Sequence, residues 1–253
     1  MSECEFAARI RPAGLPASVA IGVALALGCS AAIAETLIGG KTNATFPIVI
    51  SADGSYKLRA NLSPPVGTDG IVLADGVHAV IDLNGYTING GANCSYWSSN
   101  NCFNSSGSAG IRVPGNSTAQ VANGRIRGFT RAGILGEIGG AGNSVIARNI
   151  RIENNAVGLS AHSLIAENVT AYDNWGTGIY GARGSIINSM AIINGQGITL
   201  HMGTVAGCVA RANGTTGFIF QRTTHRDNVA WDNGDAVTLD ASSPGMNNNY
   251  DGP

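Results

Sequence analysis

Charge is scarce in this sequence. Asp, Glu, Lys and Arg make up only 12% of the 253 residues, and the net charge is −1. There is no basic run. Phosphate backbones are bound through clustered Lys and Arg, so nucleic acid is excluded as a partner. Lys is nearly absent beyond Lys41 and Lys57, which argues against a lysine base. Long apolar runs are missing too. The stretch from Val19 to Leu27 is too short to span a bilayer comfortably. No Cys or His spacing resembles a zinc site, and no metal or cofactor is expected. Low charge does not here mean disorder, because 44% of the residues are apolar.

The beginning of the chain reads as a signal peptide over residues 1–34. Arg9 and Arg11 supply positive charge, diluted by Glu3 and Glu5. Ala32-Ile33-Ala34 offers the small-x-small cleavage pattern, with Glu35 as the mature start. A short N-terminal anchor is the alternative. Leu27-Gly28-Cys29 resembles a lipoprotein cleavage site, but Ala26 stands where Leu is usual. The expected destination is outside the cell, the periplasm or the cell surface, with no transmembrane segment in the mature chain. Cys94, Cys102 and Cys208 then remain. Cys94 and Cys102 share one polar loop, and read either as a disulfide in an oxidising compartment or as two thiols. Cys208 falls inside a repeat and reads as a small buried residue.

What is abundant is glycine, at 36 residues, and asparagine in phase. Asn155, Asn174, Asn194, Asn213 and Asn233 recur every 19 or 20 residues. Three residues earlier stand Ile152, Ala171, Ala191, Ala210 and Ala230. Three or four residues later stand Gly158, Gly178, Gly197, Gly217 and, once, Ala236. A second polar column runs Asn149, Asn168, Asn188, with Asn228 resuming after Cys208. Directly after each Gly come Leu159, Ile179, Ile198, Phe218 and Val237. Two residues on are Ala161, Gly181, Leu200, Phe220 and Leu239. Mostly polar residues lie between, and such alternation means strands buried on one face.

A coil of about 20 residues suits three short strands and three turns, each stacked on its equivalent about 4.8 Å away. Asn in such a stack can bond along the ladder and satisfy buried backbone, so these columns read as structural. The expected fold is all-β, a single-stranded right-handed parallel β-helix over residues 35–243. A loop insertion is expected at 89–110 and a flexible tail at 244–253.

The repeat Asn-x-x-x-x-x-Asn-x-x-x-Gly-Ile resembles that of the pectate-lyase-like right-handed β-helix superfamily. Gly54-Ser-Tyr-Lys-Leu58 and Val80-Ile-Asp-Leu-Asn-Gly-Tyr-Thr-Ile88 resemble the opening coils of bacterial proteins related to NosD-type periplasmic proteins. The resemblance covers residues 48–239. It implies the fold more than an activity, since that superfamily spans lyases, hydrolases, epimerases and non-catalytic surface proteins.

Chemistry is sought on the outward columns. The fourth position after each Gly gives His162, Ala182, His201, Gln221 and Asp240. The second gives Ser160, Tyr180, Thr199, Ile219 and Thr238. Arg183 and Arg222 lie one residue further along. His162 and His201 are then two coils apart, about 9.6 Å. A uronate lyase or epimerase needs a base and a cation to stabilise the resulting anion. Tyr180 or His201 would be that base, with His162 beside them and Arg183 or Arg222 as the cation. Solvated strand residues are the plain alternative.

Family signatures of catalysis fail. Clustered Asp, Gly-His-Gly and Asp-Pro-His motifs are missing. Asp173 and Asp232 share a column but lie three coils apart, roughly 14 Å, too far to share one ion. Another outward column runs Glu153, Tyr172, Ile192, Arg211 and Trp231. Arg211 and Trp231 are expected to make a cation–π contact. Arg222, Gln221, Asp240, Trp231, Tyr172 and Trp97 are the candidate substrate contacts. The expected function is an exported protein that binds a polysaccharide or surface glycan, or builds an envelope structure. A polysaccharide lyase or epimerase acting through His162, Tyr180 and His201 is the alternative.

Overall fold

Alternating short strands separated by Gly and Asn turns have one economical solution, which is to stack each strand on its counterpart one repeat later. The structure, a computed structural model, describes residues 35–40, 45–97, 102, 106–137, 142–246 and 248–250. The expected signal peptide at 1–34 lies outside these residues. Among them the chain coils into a parallel β-helix in which every strand pairing is parallel. Among the described residues no helix is long and apolar enough to cross a membrane.

Three sheets run along the coil. The first contains Gly54–Leu58, His78–Asp82, Gly203–Ala206 and Thr223–Arg226. The second contains Thr87–Asn89, Met190–Ile192, Val209–Arg211 and Val229–Trp231. The third contains Ile71–Leu73, Ala109–Val113, Ala132–Gly136, Gln196–Leu200, Thr216–Phe220 and Asp235–Leu239. Longer strands bend through corners. Ser144–Glu153 runs from the first sheet into the second, and Leu159–Tyr172 passes through all three.

The core is a set of stacks. Ile71, Ile111, Ile134, Leu159, Ile179, Ile198 and Phe218 lie in register on the third sheet, each fully buried. Opposite them the second sheet supplies Ile126, Ile152 and then Ala171, Ala191, Ala210 and Ala230. Small residues here leave room for the asparagines between the two sheets.

The ladder forms as the spacing implies. Each Asn Nδ2 donates to the next Asn Oδ1, at 3.2, 2.8, 3.1 and 2.8 Å from Asn155 to Asn233. The same Oδ1 atoms accept the backbone N–H of the preceding Asn. Nδ2 also donates to carbonyls of the second sheet, such as Ala171 and Ala191. All five side chains are buried.

The glycine column has a different cause. A Cβ at Gly158 would lie 2.3 Å from the Gly178 carbonyl oxygen, and one at Gly197 would lie 2.1 Å from that of Gly217. Backbones approach too closely for any side chain. Ala236 escapes because Asp235–Leu239 pairs only with the strand before it among the described residues.

Two expectations are corrected. Asn228 does not continue the column of Asn149, Asn168 and Asn188. Those residues have positive φ, and Gly207 and Asp227 continue them. Asn228 belongs one residue over, where its Oδ1 accepts from Cys208 N and its own N–H donates to Asn248 Oδ1. A left-handed turn position tolerates Asn, Asp or Gly, so the two columns share a composition but not a role. The expected flexible tail also begins as structure. Gly245–Met246 and Asn249–Tyr250 pair with the first and second sheets, while residues 251–253 lie outside those described.

Asn194→Ala removes the acceptor shared by the backbone N–H and Nδ2 of Asn174, and the donor to the Ala171 carbonyl and to Asn213 Oδ1. A buried unsatisfied group costs about 1–3 kcal/mol. The variant is expected to lose about 3 kcal/mol or more of stability, read from urea unfolding. A loss below about 1 kcal/mol would mean the ladder is ornamental.

Candidate ligand-binding cleft beneath the disulfide loop

The outward strip on the third sheet is more filled than an exposed strand face should be. Tyr180 pairs in register with Ser160 and Thr199, and Thr199 with Ile219. Ser160 and Thr199 are only 8% and 5% exposed, and Leu135 at the same level is 6% exposed. Large neighbours roof the small ones. Tyr180 meets His201 edge to face, with ring centroids 5.3 Å apart. His162 is half-buried, its backbone N–H donating to Asn143 Oδ1, and packs against Gly142. It stands apart from His201, with Ala182 between.

The two arginines sit elsewhere. Arg183 is the register partner of Ser163 and lies past the corner, on the first sheet. Arg222 occupies a turn with φ of 48°. Its backbone N–H donates to both oxygens of Asp240, at 3.1 and 3.0 Å. Asp240 also accepts from Ser242 and Ser243. The Ser243 hydroxyl, helped by the Arg222 amide, holds this carboxyl below its ordinary range. Those bonds are complete above that range and are lost as pH falls through the lowered value. Asp240 therefore caps a turn. Gln221 is exposed beside it.

On the second sheet the expected column is in register, and Arg211 lies over the Trp231 ring at 5.5 Å. Tyr172 carries the Arg151 guanidinium at 4.7 Å. Cys208 is buried, and that burial pushes its thiol up to about 12, which makes it an unreactive packing residue.

The insertion supplies what the flat faces lack. Cys94 and Cys102 form a disulfide within it. Residues 98–101 and 103–105 lie outside the described residues. The loop leaves the second sheet as one more turn on the stack, with Gly90 and Ala92 N–H donating to the Arg127 and Gly128 carbonyls. It then descends to Asp173. One Asp173 oxygen accepts from Ser95 Oγ at 2.7 Å and from Tyr96 N at 2.9 Å, while the other accepts from Asn154 Nδ2. The return is clamped by Arg112, which is held by both oxygens of Asp69 and donates to the Gly107 carbonyl. Asp69 bonding raises the Arg112 pKa, so the clamp stays charged.

Pinned this way, Tyr96 reaches Gly214. A Cβ at Gly214 would lie 1.9 Å from the Tyr96 hydroxyl oxygen. Trp97 stands edge to face on Tyr96 and is 74% exposed. Beneath them is a cleft of about 380 Å³ lined by Tyr96, Trp175, Gly176, Thr177, Gln196 and Thr215, with Gly195 in its floor.

The alternation of 19 and 20 residues explains its shape. The ladder Asn and the column Gly are four residues apart at Asn174–Gly178 and Asn213–Gly217, but three apart at Asn194–Gly197. The extra residue falls at Trp175 and at its equivalent Gly214: the N–H groups of Gly195 and Gln196 go to the Asn174 and Gly176 carbonyls, and those of Gly234 and Asp235 to the Asn213 and Thr215 carbonyls. The short corner at Gly195 lies between them. Thr177 Oγ1 donates to Gln196 Oε1 at 3.0 Å across this corner.

Sequence reasoning flagged Trp97 but not Trp175, Asp173 or Gln196 as its neighbours. The offset of three or four was visible; the landing point of the loop, 78 positions away from Ser95, was not. No protein-family model, curated protein or solved structure matches this chain. Coiled parallel architecture is what the superfamily resemblance retains.

Asp173→Asn keeps a residue suited to positive φ while weakening the loop anchor. Chymotrypsin cleavage at Tyr96 and Trp97 is expected to quicken several-fold, with circular dichroism unchanged. An unaltered cleavage rate would show that Asp173 does not hold the loop.

Proposed function

We propose that this protein is an exported glycan-binding β-helix that takes a neutral sugar unit in the cleft beneath the disulfide loop. The cleft itself carries the reading. It joins aromatic rings, Tyr96 and Trp175, to uncharged hydrogen-bonding groups, Thr177, Gln196 and Thr215. Sugar rings present apolar C–H faces to aromatics and hydroxyls to amides and alcohols. Among the described residues no charged side chain lines it, so a neutral ring fits better than an acidic one. Its volume lies near the lower end of the roughly 300–1,000 Å³ usual for small-ligand sites. The Cys94–Cys102 disulfide supports the export reading, since such bonds persist in oxidising compartments.

Trp175→Ala is expected to weaken binding of a neutral oligosaccharide at least tenfold, about 1.4 kcal/mol, by isothermal calorimetry on the full chain. Tyr180→Phe should leave it unchanged. Equal affinity in Trp175→Ala and the parent protein would remove the cleft from the account.

The Tyr180–His201 contact is the observation that sustains a lyase or epimerase reading. Its cation is the weak part, because Arg183 lies around the corner on another sheet. Incubation with a panel of uronic-acid polymers is expected to give no unsaturated product by ultraviolet absorbance and no epimerised residue by NMR. Turnover lost in Tyr180→Phe would replace binding with catalysis.

A further inference from the structure

One pairing on the second sheet opposes the stack that contains it. Arg125 and Arg151 are register partners on adjacent strands. Both side chains face outward, 46% and 39% exposed. Like charges placed directly opposite on a sheet are destabilising. Arg127 joins them from the neighbouring outward column, where its register partner is Glu153.

Glu153 lies under this group. Its side chain is 8% exposed, with one oxygen 3.5 Å from Arg125 and 3.9 Å from Arg127. Its other oxygen accepts from Arg151 Nε. Three guanidiniums thus share one carboxylate, which leaves two positive charges on the surface above it. The Tyr172 ring backs Arg151, and Asn154 Oδ1 accepts from Arg127 at 3.5 Å. The guanidiniums are therefore oriented before anything binds. An approaching anion meets the cations first, because the buried carboxylate sits below them.

We propose that Arg125, Arg127 and Arg151 form a binding site for a doubly charged tetrahedral oxyanion, a sulfate or phosphate group, with Glu153 as the carboxylate that holds the three in place. Guanidinium forks match the oxygens of such groups and bond them two at a time. A dianion balances the two residual charges and relieves the Arg125–Arg151 stack. The site is separate from the sugar cleft, so it does not depend on the glycan reading.

The test is thermal unfolding of the full chain at constant ionic strength, replacing chloride stepwise with inorganic sulfate or phosphate. Sulfate stabilises folded proteins generally, so variants supply the baseline. Arg148→Gln removes an exposed arginine of the first sheet that pairs with Glu167. It should keep the parent's saturable rise in Tm. Arg125→Gln should lose that rise, with the apparent affinity for sulfate down at least tenfold. In chloride alone it should melt no lower than the parent, because a like-charge pair has been removed. A monosaccharide sulfate ester that binds more tightly than inorganic sulfate supports an esterified ligand, and equal binding supports a free anion. An unchanged sulfate response in Arg125→Gln overturns the proposal. So does a lower Tm for that variant in chloride, which would make Arg125 a stabilising member of the ion network and no more.

Discussion

Backbone closeness between successive coils, at the corner joining the second and third sheets, governs this molecule. The corner between them is so tight that a Cβ at Gly158, Gly178 or Gly197 would run into the next coil. Closeness of that degree buries amides and carbonyls, and each must find a partner. The asparagine ladder is the answer, with each amide serving the coil above and the coil below. Glycine permits the approach, asparagine satisfies what it buries, and the alanine column of the second sheet leaves space for both. None of the three is useful without the others. That mutual dependence is why the columns stay in phase.

Most of this was legible in the chain because it is local to one repeat. Period, strand alternation, the ladder and the inward stacks all follow from residues within about 20 positions of each other. Failures came where two roles share a residue type. Asn168 and Asn228 are both asparagine in a turn, yet one sits at positive φ and the other caps the neighbouring coil. Composition does not separate them, because both are turns in which asparagine is favoured. Asp240 misled in the same way. It stands in the outward column of His162 and His201, but at the last coil its carboxylate is consumed by the turn at Arg222.

The cleft was half legible. Trp97 and the disulfide pair were marked by their loop, and the changing offset from Asn to Gly was countable. Missing was the fold of the loop onto Asp173, a contact without sequence periodicity. An insertion in a solenoid leaves the repeat and loses its register information, so where it lands is decided by side-chain chemistry at a distance. Asp173 looked like a column residue because it is one; its column neighbour Asn154 takes one carboxylate oxygen, and the other is left for the loop.

A perfectly periodic stack has no address on it, since every coil presents the same surface. Departures from the period are therefore where a solenoid can hold something specific. Besides the loop insertion, three stand out among the described residues, and each has a physical signature. An extra residue in alternate coils lengthens the corner at Trp175 and at Gly214, with the short corner at Gly195 between them. Two arginines stack where like charges should be avoided, over a carboxylate too few to neutralise them. Ala236 replaces the column glycine on Asp235–Leu239, which among the described residues pairs only with Thr216–Phe220. The first two depart from the repeat on the surface and leave something unsatisfied, which a ligand can complete. The third departs in the glycine column and changes packing alone.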